Sequence, residues 1–234
     1  MATRTATPTS RRTPLTRERV LQAALAIADH DGIPALTMRA LAERLGVEAM
    51  SLYHHLPNKD AVLDGVIEAV FAEVEQEVGG FAAPDDVDAA TWALALRGRI
   101  LAARRVLLRH PWAPLLMNQR GAAGPNAMRH VDGLVGVMRA GGLSHDLIHH
   151  ALHAFGSRLF GYVQELGDDS ATPTPVALEQ LAMIAPHLAA MLGDVVHDEP
   201  DTTLGWCDDQ FEFEFGLDLL LEGLERRRRA EAGR

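Results

Sequence analysis

The side chains with the clearest capacity for chemistry lie between positions 37 and 59, where basic and polar residues recur at helical spacing. Arg39 carries a planar guanidinium group whose parallel donors match the O6 and N7 acceptors of guanine. Lys59 is the only lysine of the chain, and His54 and His55 stand shortly before it. These groups suit hydrogen bonding and ion pairing with a nucleic acid.

Catalytic chemistry finds little support elsewhere in the sequence. An enzyme would require a nucleophile beside a base, a paired acid and base, or a glycine-rich loop that cradles phosphate, and we find none of these. The single cysteine, Cys207, excludes an internal disulfide framework and a cysteine-based zinc cage. We therefore predict a protein that is not an enzyme and needs no cofactor.

Four histidines between positions 145 and 153 form the one cluster with metal-ligand character. His145, His149 and His153 recur at every fourth position and would share one side of a helix, with His150 beside them. Such spacing is compatible with zinc, but a zinc site needs a further ligand, and no cysteine or ordered acidic partner is evident nearby. We predict no metal site; His149 would instead line a ligand pocket or a seam between subunits.

The charge distribution places any nucleic-acid contact near the N-terminus. The chain has a formal net charge of −10, which by itself argues against binding a polyanion. Residues 1–60 nevertheless carry eight Arg and Lys against six Asp and Glu, whereas residues 61–234 carry fourteen against twenty-six. The N-terminal surface can face phosphate while the acidic remainder is repelled from it.

The elements that must position these residues are helical. Aromatic residues are only 5% of the chain, and apolar residues recur with three- and four-residue spacing, so we predict an all-α fold of nine or ten helices. No run approaches the roughly 18 apolar residues that a membrane span requires, and we expect a cytoplasmic protein. The predicted helices cover about 17–31, 37–45, 47–54, 59–78, 88–109, 111–118, 125–140, 144–166, 176–193 and 208–229.

Residues 37–54 have the spacing of a helix-turn-helix. Ala42 is small enough for two helices to cross closely, Gly46 permits the positive φ of a tight turn, and Val47 and Leu52 would face a small core. The second helix of such a pair can enter the major groove of DNA. A helical hairpin with a glycine turn also occurs in bundles that bind no DNA, so the spacing alone leaves both interpretations open.

The residues around this helix pair resemble the tetracycline-repressor (TetR) family of transcription regulators. Residues 52–63 read LYHHLPNKDAVL, and the span of about 15–74 resembles that family's DNA-binding domain. Matches to its C-terminal domain are HPW (110–112), GPN (124–126), AGGL (140–143) and FEFGLDLLLEGL (213–224).

The resemblance implies three parts and a mechanism. A flexible arm (1–14) precedes a three-helix DNA-binding domain (15–62), whose lever helix continues to about 78, and an effector-binding and dimerisation domain (79–234) follows. A small-molecule effector would shift the lever helix and release the homodimer from a palindromic operator in double-stranded DNA. A sensor that acts on partner proteins without binding DNA is the alternative function, and selection of bound DNA would separate the two.

The resemblance also assigns roles to individual residues of the helix pair. Thr37 and Met38 would contact phosphate, and Arg39 would reach a base edge. The positions that face the groove are Ala49, Met50, Ser51, Tyr53 and His54, and those placed to bind phosphate are His55 and Lys59. Ala49 stands where the tetracycline repressor has a glutamine that reads adenine, so we expect a different operator.

Two apolar stripes in the C-terminal part are expected to form the dimer surface. By resemblance, their helices build a four-helix bundle between two subunits. A stripe does not reveal which chain it touches, so an intramolecular core is the alternative. The stripe residues are Ile148, Leu152, Phe155 and Leu159 on one helix, and Phe213, Leu217, Leu220 and Leu224 on the other.

By resemblance, a small-molecule pocket lies among the helices of about 59–166. Asn118 replaces a metal-ligating histidine of the tetracycline repressor, Glu75 replaces a histidine that grips the drug, and Leu134 replaces a glutamine. Glu165 matches the carboxylate that completes the magnesium site through water. We therefore expect an effector other than magnesium-tetracycline. His149 and Leu152 are also candidates to contact it.

Overall fold

The computed structural model describes residues 14–80, 87–120, 124–164, 175–194 and 209–233. Within these ranges it contains eleven α-helices, one short 3₁₀ helix (Ile33–Ala35) and no strand, which confirms the predicted all-α fold. The α-helices are α1 (Arg17–Asp31), α2 (Met38–Leu45), α3 (Ala49–Tyr53), α4 (Lys59–Val78), α5 (Trp92–Arg109), α6 (Ala113–Arg120), α7 (Pro125–Ala140), α8 (His145–Gln164), α9 (Pro175–Ile184), α10 (Pro186–Asp194) and α11 (Asp209–Ala232).

Two helix predictions need correction. The helix expected over about 176–193 is two helices, α9 and α10, because Pro186 has no N–H to continue the first and begins the second instead. The helix expected from about 88 begins only at Trp92. Asp88 forms a turn before it, with its carboxylate accepting from the Ala90 and Thr91 amides at 2.8 and 3.0 Å.

The three N-terminal helices are positioned by local signals and by α4. The Thr16 hydroxyl accepts a hydrogen bond from the Arg19 amide at 3.2 Å and begins α1. Helix α1 packs closely on α4 at Gly65, where an added Cβ would lie 2.4 Å from Leu21 Cδ2. One continuous set of buried apolar side chains runs from Val20 of α1 to Leu224 of α11.

The apolar stripes expected at a dimer surface pack against other helices of one chain. Helix α8 packs against α11, α5, α6 and α7, so its apolar side is covered by helices of the same chain. Spacing does not reveal which chain covers these residues; within this chain most of them are buried, and their place at a dimer surface stays a prediction. The buried stripe residues are Ile148, Phe155, Leu159, Phe213, Leu217 and Leu224; Leu152 and Leu220 are half-buried.

Some sequence-based expectations fall outside the described residues. These are almost all of the N-terminal arm, Glu165 and Cys207. Among the helices that the structure describes, none is both long enough and apolar enough to cross a membrane.

Candidate DNA-binding surface and ligand cavity

A glycine turn holds α2 and α3 in the predicted helix-turn-helix arrangement. The Thr37 hydroxyl caps α2 by accepting from the Ala40 amide at 3.1 Å. Gly46 ends the helix with a φ of 66°, in the left-handed region that favours glycine. The Val47 amide donates to the Ala42 carbonyl at 3.1 Å and closes the turn. Leu41, Ala42 and Leu52 are buried, so the other side of each helix faces outward.

The outward side presents most of the residues assigned to DNA contact. Met50 and Tyr53 of α3 are 71% and 43% exposed, so both side chains are accessible to a partner. Lys59 begins α4, where the Asn58 side chain caps the helix by accepting from the Ala61 amide at 2.8 Å. Of the remaining assigned residues, Thr37, Arg39, Ala49 and His54 are exposed, and Met38, Ser51 and His55 are half-buried.

Arg39 extends into solvent and is held by a neighbour on its own helix. Its side chain is 89% exposed, and its Nε donates to Glu43 Oε1 at 2.9 Å. Such exposed pairs at i, i+4 contribute a few tenths of a kcal/mol and break readily. Arg39 is therefore accessible to an incoming acceptor.

A cavity of about 160 Å³ lies among α4, α5, α6, α7 and α8. Leu134 and Leu152, both expected near the effector, line it. Glu75, Asn118 and His149 do not line it; Asn118 points outward while its neighbour Met117 forms part of the wall. The full lining is Val70, Phe71, Val74, Ile100, Ala103, Leu107, Met117, His130, Val131, Leu134, Leu152, Phe155, Gly156, Leu159 and Phe160.

His130 is the polar side chain of this wall, and the sequence analysis missed it. It is 8% exposed, and its ring centroid lies 5.6 Å from that of Phe71. Burial lowers the pKa of the imidazole from 6.5 to about 4, and the positive charge of Arg99 adds to the shift. The ring is therefore neutral at pH 7, with one donor and one acceptor nitrogen. The sequence signal that could have placed His130 in the wall is its position one helical turn before Leu134, which was already expected near the effector.

The histidine cluster on α8 does not face this cavity. His145, His149, His150 and His153 are all exposed, and the rings of His149 and His153 lie 4.7 Å apart. No three histidine, cysteine or acidic side chains in the described residues are placed to hold a metal ion together.

A buried histidine joins the N-terminal helices to the larger helical part. His110 Nδ1 lies 2.7 Å from Asp29 of α1, and its Nε2 lies 3.2 Å from Glu73 of α4. The Trp112 indole N–H also donates to Asp29, at 2.7 Å. In the sequence, the motif at 110–112 is only a match to the family, and local spacing carries no signal for these contacts.

Acidic residues of α4 bind the helices that surround the cavity. Arg120 of α6 pairs with Asp60 and Asp64 at 2.9 and 2.8 Å. The Asn126 amide at the start of α7 donates to Glu68 at 3.0 Å. Helix α4 thus packs on α1 of the N-terminal helices and also contributes to the walls of the cavity.

Two family models cover most of the chain. Residues 20–66 match the model "Bacterial regulatory proteins, tetR family", and residues 83–228 match "Tetracyclin repressor-like, C-terminal domain". The chain belongs to the TetR family. It is therefore a ligand-responsive, DNA-binding transcriptional regulator, as the helix-turn-helix and the cavity indicate.

Relatives of this TetR-family protein match it over nearly their whole length. An HTH-type transcriptional regulator of Saccharopolyspora erythraea is 34% identical over 216 residues, covering 90% of this chain and 84% of the relative. The class C tetracycline repressor protein of Escherichia coli is 31% identical and covers 92% of both chains. These relatives are transcriptional regulators rather than enzymes.

Solved structures show the same TetR fold. Apo ActR from Streptomyces coelicolor superposes with a TM-score of 0.71 and 27% identity, covering 94% of this chain and 99% of ActR. ActR has also been crystallised in complex with actinorhodin.

Proposed function

We propose that this protein represses transcription as a homodimer on a palindromic operator, and that an effector other than magnesium-tetracycline releases it. The exposed outer side of α2 and α3 carries this proposal, because it presents Arg39, Met50 and Tyr53 to solvent on a helix-turn-helix whose inner side is buried. The assigned division into a DNA-binding part (15–62) and an effector part (79–234) agrees with the two family matches.

A second subunit would be bound by the outer sides of α8 and α11. Phe211, Phe215 and Leu219 of α11 are 42%, 55% and 54% exposed, and Phe160 of α8 is 37% exposed. Large aromatic side chains at the surface are typical of protein–protein interfaces. A symmetric pair of recognition helices reads a palindrome, and each half-site adds its own contacts.

Helix α4 would transmit effector binding to the DNA-binding helices. Val70, Phe71 and Val74 of this helix line the cavity, whereas its first residue, Lys59, lies beside the helix-turn-helix. A ligand that favours another position of α4 would change the spacing of the two recognition helices from the roughly 34 Å that consecutive major grooves require. Because such coupling is reciprocal, operator DNA would weaken ligand binding by the same factor.

The cavity suits magnesium-tetracycline poorly. Mg²⁺ is bound through carboxylate, carbonyl and water oxygens in octahedral geometry. Among the described residues of the lining there is no carboxylate, Asn118 faces away, and Leu134 is apolar. We further infer that the protein has no enzymatic activity and works in the cytoplasm, where it meets its DNA.

Selection of DNA from a random pool by the full-length protein tests this function. We expect enrichment of a palindrome whose half-site centres are about 10 base pairs, or a multiple of the helical repeat, apart. Sedimentation of the protein with the selected DNA should show two subunits per site. Failure to enrich any palindrome would overturn the proposal and favour a sensor that acts on partner proteins.

A further inference from the structure

The walls of the cavity are apolar with a single exception. Three phenyl rings (Phe71, Phe155 and Phe160), the Met117 thioether and aliphatic side chains surround it, and His130 carries the one polar side chain among the described residues of the lining. A pocket of this composition binds a ligand mainly by removing apolar surface from water, and its few polar groups fix the ligand's orientation.

A charged ligand would be poorly accommodated. Burying an ionised carboxylate or ammonium group without a counter-charge costs far more free energy than hydrogen bonding recovers. The described residues of the lining offer no counter-charge: the ring of His130 is neutral near pH 7, because burial holds its pKa at about 4, and Arg99, whose charge adds to that shift, does not line the cavity. The neutral ring has one donor and one acceptor nitrogen, and it forms part of the cavity wall.

The size of the cavity limits the ligand as well. Its volume of about 160 Å³ is close to that of cavities of about 150 Å³ that take up benzene. One six-membered ring with small substituents fills such a space without displacing the surrounding helices. The phenyl groups of Phe71 and Phe155 offer such a ring edge-to-face contacts.

We propose, building on the function proposed above, that this cavity binds a small uncharged molecule with one apolar ring and a single hydroxyl or carbonyl group. That group exchanges a hydrogen bond with the imidazole of His130, and the ring lies among the phenyl side chains. The polar contact selects among ligands that the apolar walls alone would accept equally.

Calorimetric titration of the full-length protein with three matched probes tests this assignment. The probes are para-cresol, its apolar counterpart toluene and its anionic counterpart para-toluate. We expect para-cresol to bind about tenfold more tightly than toluene, and para-toluate not to bind at the same concentrations. His130→Leu should reduce the affinity for para-cresol to that for toluene and leave toluene unchanged, while His130→Gln should keep part of the difference.

Two glycines of α8 provide a matched test of the location. Gly156 lines the cavity, and an added Cβ there meets no atom within 4 Å, so Gly156→Met fills the space without a backbone clash. An added Cβ at Gly161 on the same helix is equally unhindered, and Gly161 does not line the cavity. We expect Gly156→Met to abolish binding of both uncharged probes and Gly161→Met to leave binding intact.

Several results would overturn the proposal. Binding of para-toluate as tight as that of para-cresol, equal loss of toluene and para-cresol in His130→Leu, or unchanged binding in Gly156→Met would each do so. Fluorescence anisotropy of the selected operator distinguishes a failure of this ligand assignment from a failure of the proposed function. If no probe binds but the protein still binds the operator, the proposed ligand class is wrong, whereas the proposed DNA-binding function is supported. If para-cresol binds as expected but the protein stays on the operator, the ligand class is supported, and the proposal that such a ligand releases the protein from DNA is wrong.

Discussion

Arg39 is accessible to DNA because its side chain is exposed and only weakly paired. Its guanidinium group is exposed and paired with Glu43 at 2.9 Å. Binding to guanine requires the arginine to leave this carboxylate or to share its donors with it. Since an exposed pair of this kind is weak, the exchange costs little. The pair therefore does not prevent the base contact proposed for Arg39.

Replacement of Arg39 by alanine tests its assignment to a base edge. We expect Arg39→Ala to weaken operator binding by roughly ten- to a hundredfold, because a bidentate arginine–guanine pair contributes about 1 to 3 kcal/mol of discrimination. Preference should relax at one position per half-site, while affinity for random DNA changes little. Anisotropy titrations on singly substituted operators measure both. Arg227→Ala, at an exposed position of α11, is the control; an equal loss on operator and random DNA would contradict the role.

Removal of the Glu43 carboxylate, which competes with DNA for the Arg39 donors, should strengthen operator binding. We expect Glu43→Gln to bind the operator several-fold more tightly, because the variant frees the Arg39 donors and removes a negative charge near the phosphates. Anisotropy titrations at several salt concentrations measure this change. In the Arg39→Ala background the same substitution should gain less. An affinity that is unchanged or lower in Glu43→Gln would show that the pair does not limit base contact.

His130 should make the stability of the protein depend on pH. Its pKa is about 4 in the folded chain and near 6.5 when unfolded, so the unfolded chain takes up the proton first as pH falls. The folded state consequently loses about 2 kcal/mol from this group between pH 7.5 and pH 5. Urea unfolding of the wild type and of His130→Leu at both values measures the difference. Equal pH dependence in the two proteins would contradict the expectation.

At the scale of elements, close helix packing depends on small residues. The last turn of α7 rests on the buried Trp92, and an added Cβ at Gly141 would lie 2.3 Å from Trp92 Cγ. The indole is also fixed by its N–H, which donates to Glu225 of α11 at 3.2 Å. Three helices therefore meet at a side chain that has little freedom to move.

Comparison of Gly141→Ala with a glycine-to-alanine change at an unhindered helix position separates the effect of packing on stability from that of helix propensity. We expect the variant to lower the free energy of unfolding by about 1 to 3 kcal/mol, because the methyl group overpacks against the indole. Gly98→Ala in α5 is a suitable control, since an added Cβ there meets no atom within 4 Å. That variant should be as stable as the wild type or slightly more stable. Urea denaturation of both proteins checks the comparison; equal stabilities would show that Trp92 can shift.

Local chemistry made several elements predictable from the sequence. Thr16 and Thr37 are residue types that favour helix N-termini, and they cap α1 and α2; Gly46 ends α2 in the left-handed conformation expected of the turn. Pro186 could have located the break between α9 and α10, but the apolar pattern continued across it.

Other features depend on which helix packs against a given side chain, and the residues nearby in the sequence do not determine that. The stripe on α8 packs on the cavity and on other helices of its own chain, and spacing along one helix does not reveal which neighbour covers it. Asn118 directly follows the lining residue Met117, but successive residues of a helix point about 100° apart, so Asn118 faces solvent instead of the cavity. The contact of His110 with Asp29 joins residues far apart in the sequence, and spacing within one helix carries no signal for it.

At the scale of the whole molecule, the surface of α11 is the feature that an isolated chain does not explain. The rings of Phe211 and Phe215 stack with their centroids 6.5 Å apart, and both are more than two-fifths exposed. A second subunit placed on this surface would remove them from water. In the function proposed above, this apolar patch would hold the second subunit, which reads the second half-site.

Substitution in this patch should yield a monomer. We expect Phe215→Glu combined with Leu219→Glu to abolish the dimer, because four buried carboxylates would face each other across a symmetric interface. Operator binding should fall by at least a hundredfold, while the helical content stays unchanged. Analytical ultracentrifugation and circular dichroism measure these properties. Leu115→Glu, at a 52% exposed position of α6, is the control; a dimer that survives the double substitution would relocate the interface.

The contacts of His110 have a consequence for chimeric sensors. Exchange of the first three helices for those of another regulator would remove Asp29 and leave the His110 and Trp112 N–H groups facing an unmatched surface. A hybrid joined within α4 would also divide its set of carboxylates between two parents. A transplant that keeps Asp29, Glu73, His110 and Trp112 from a single parent preserves the contacts that join α1 and α4 to the segment before α6.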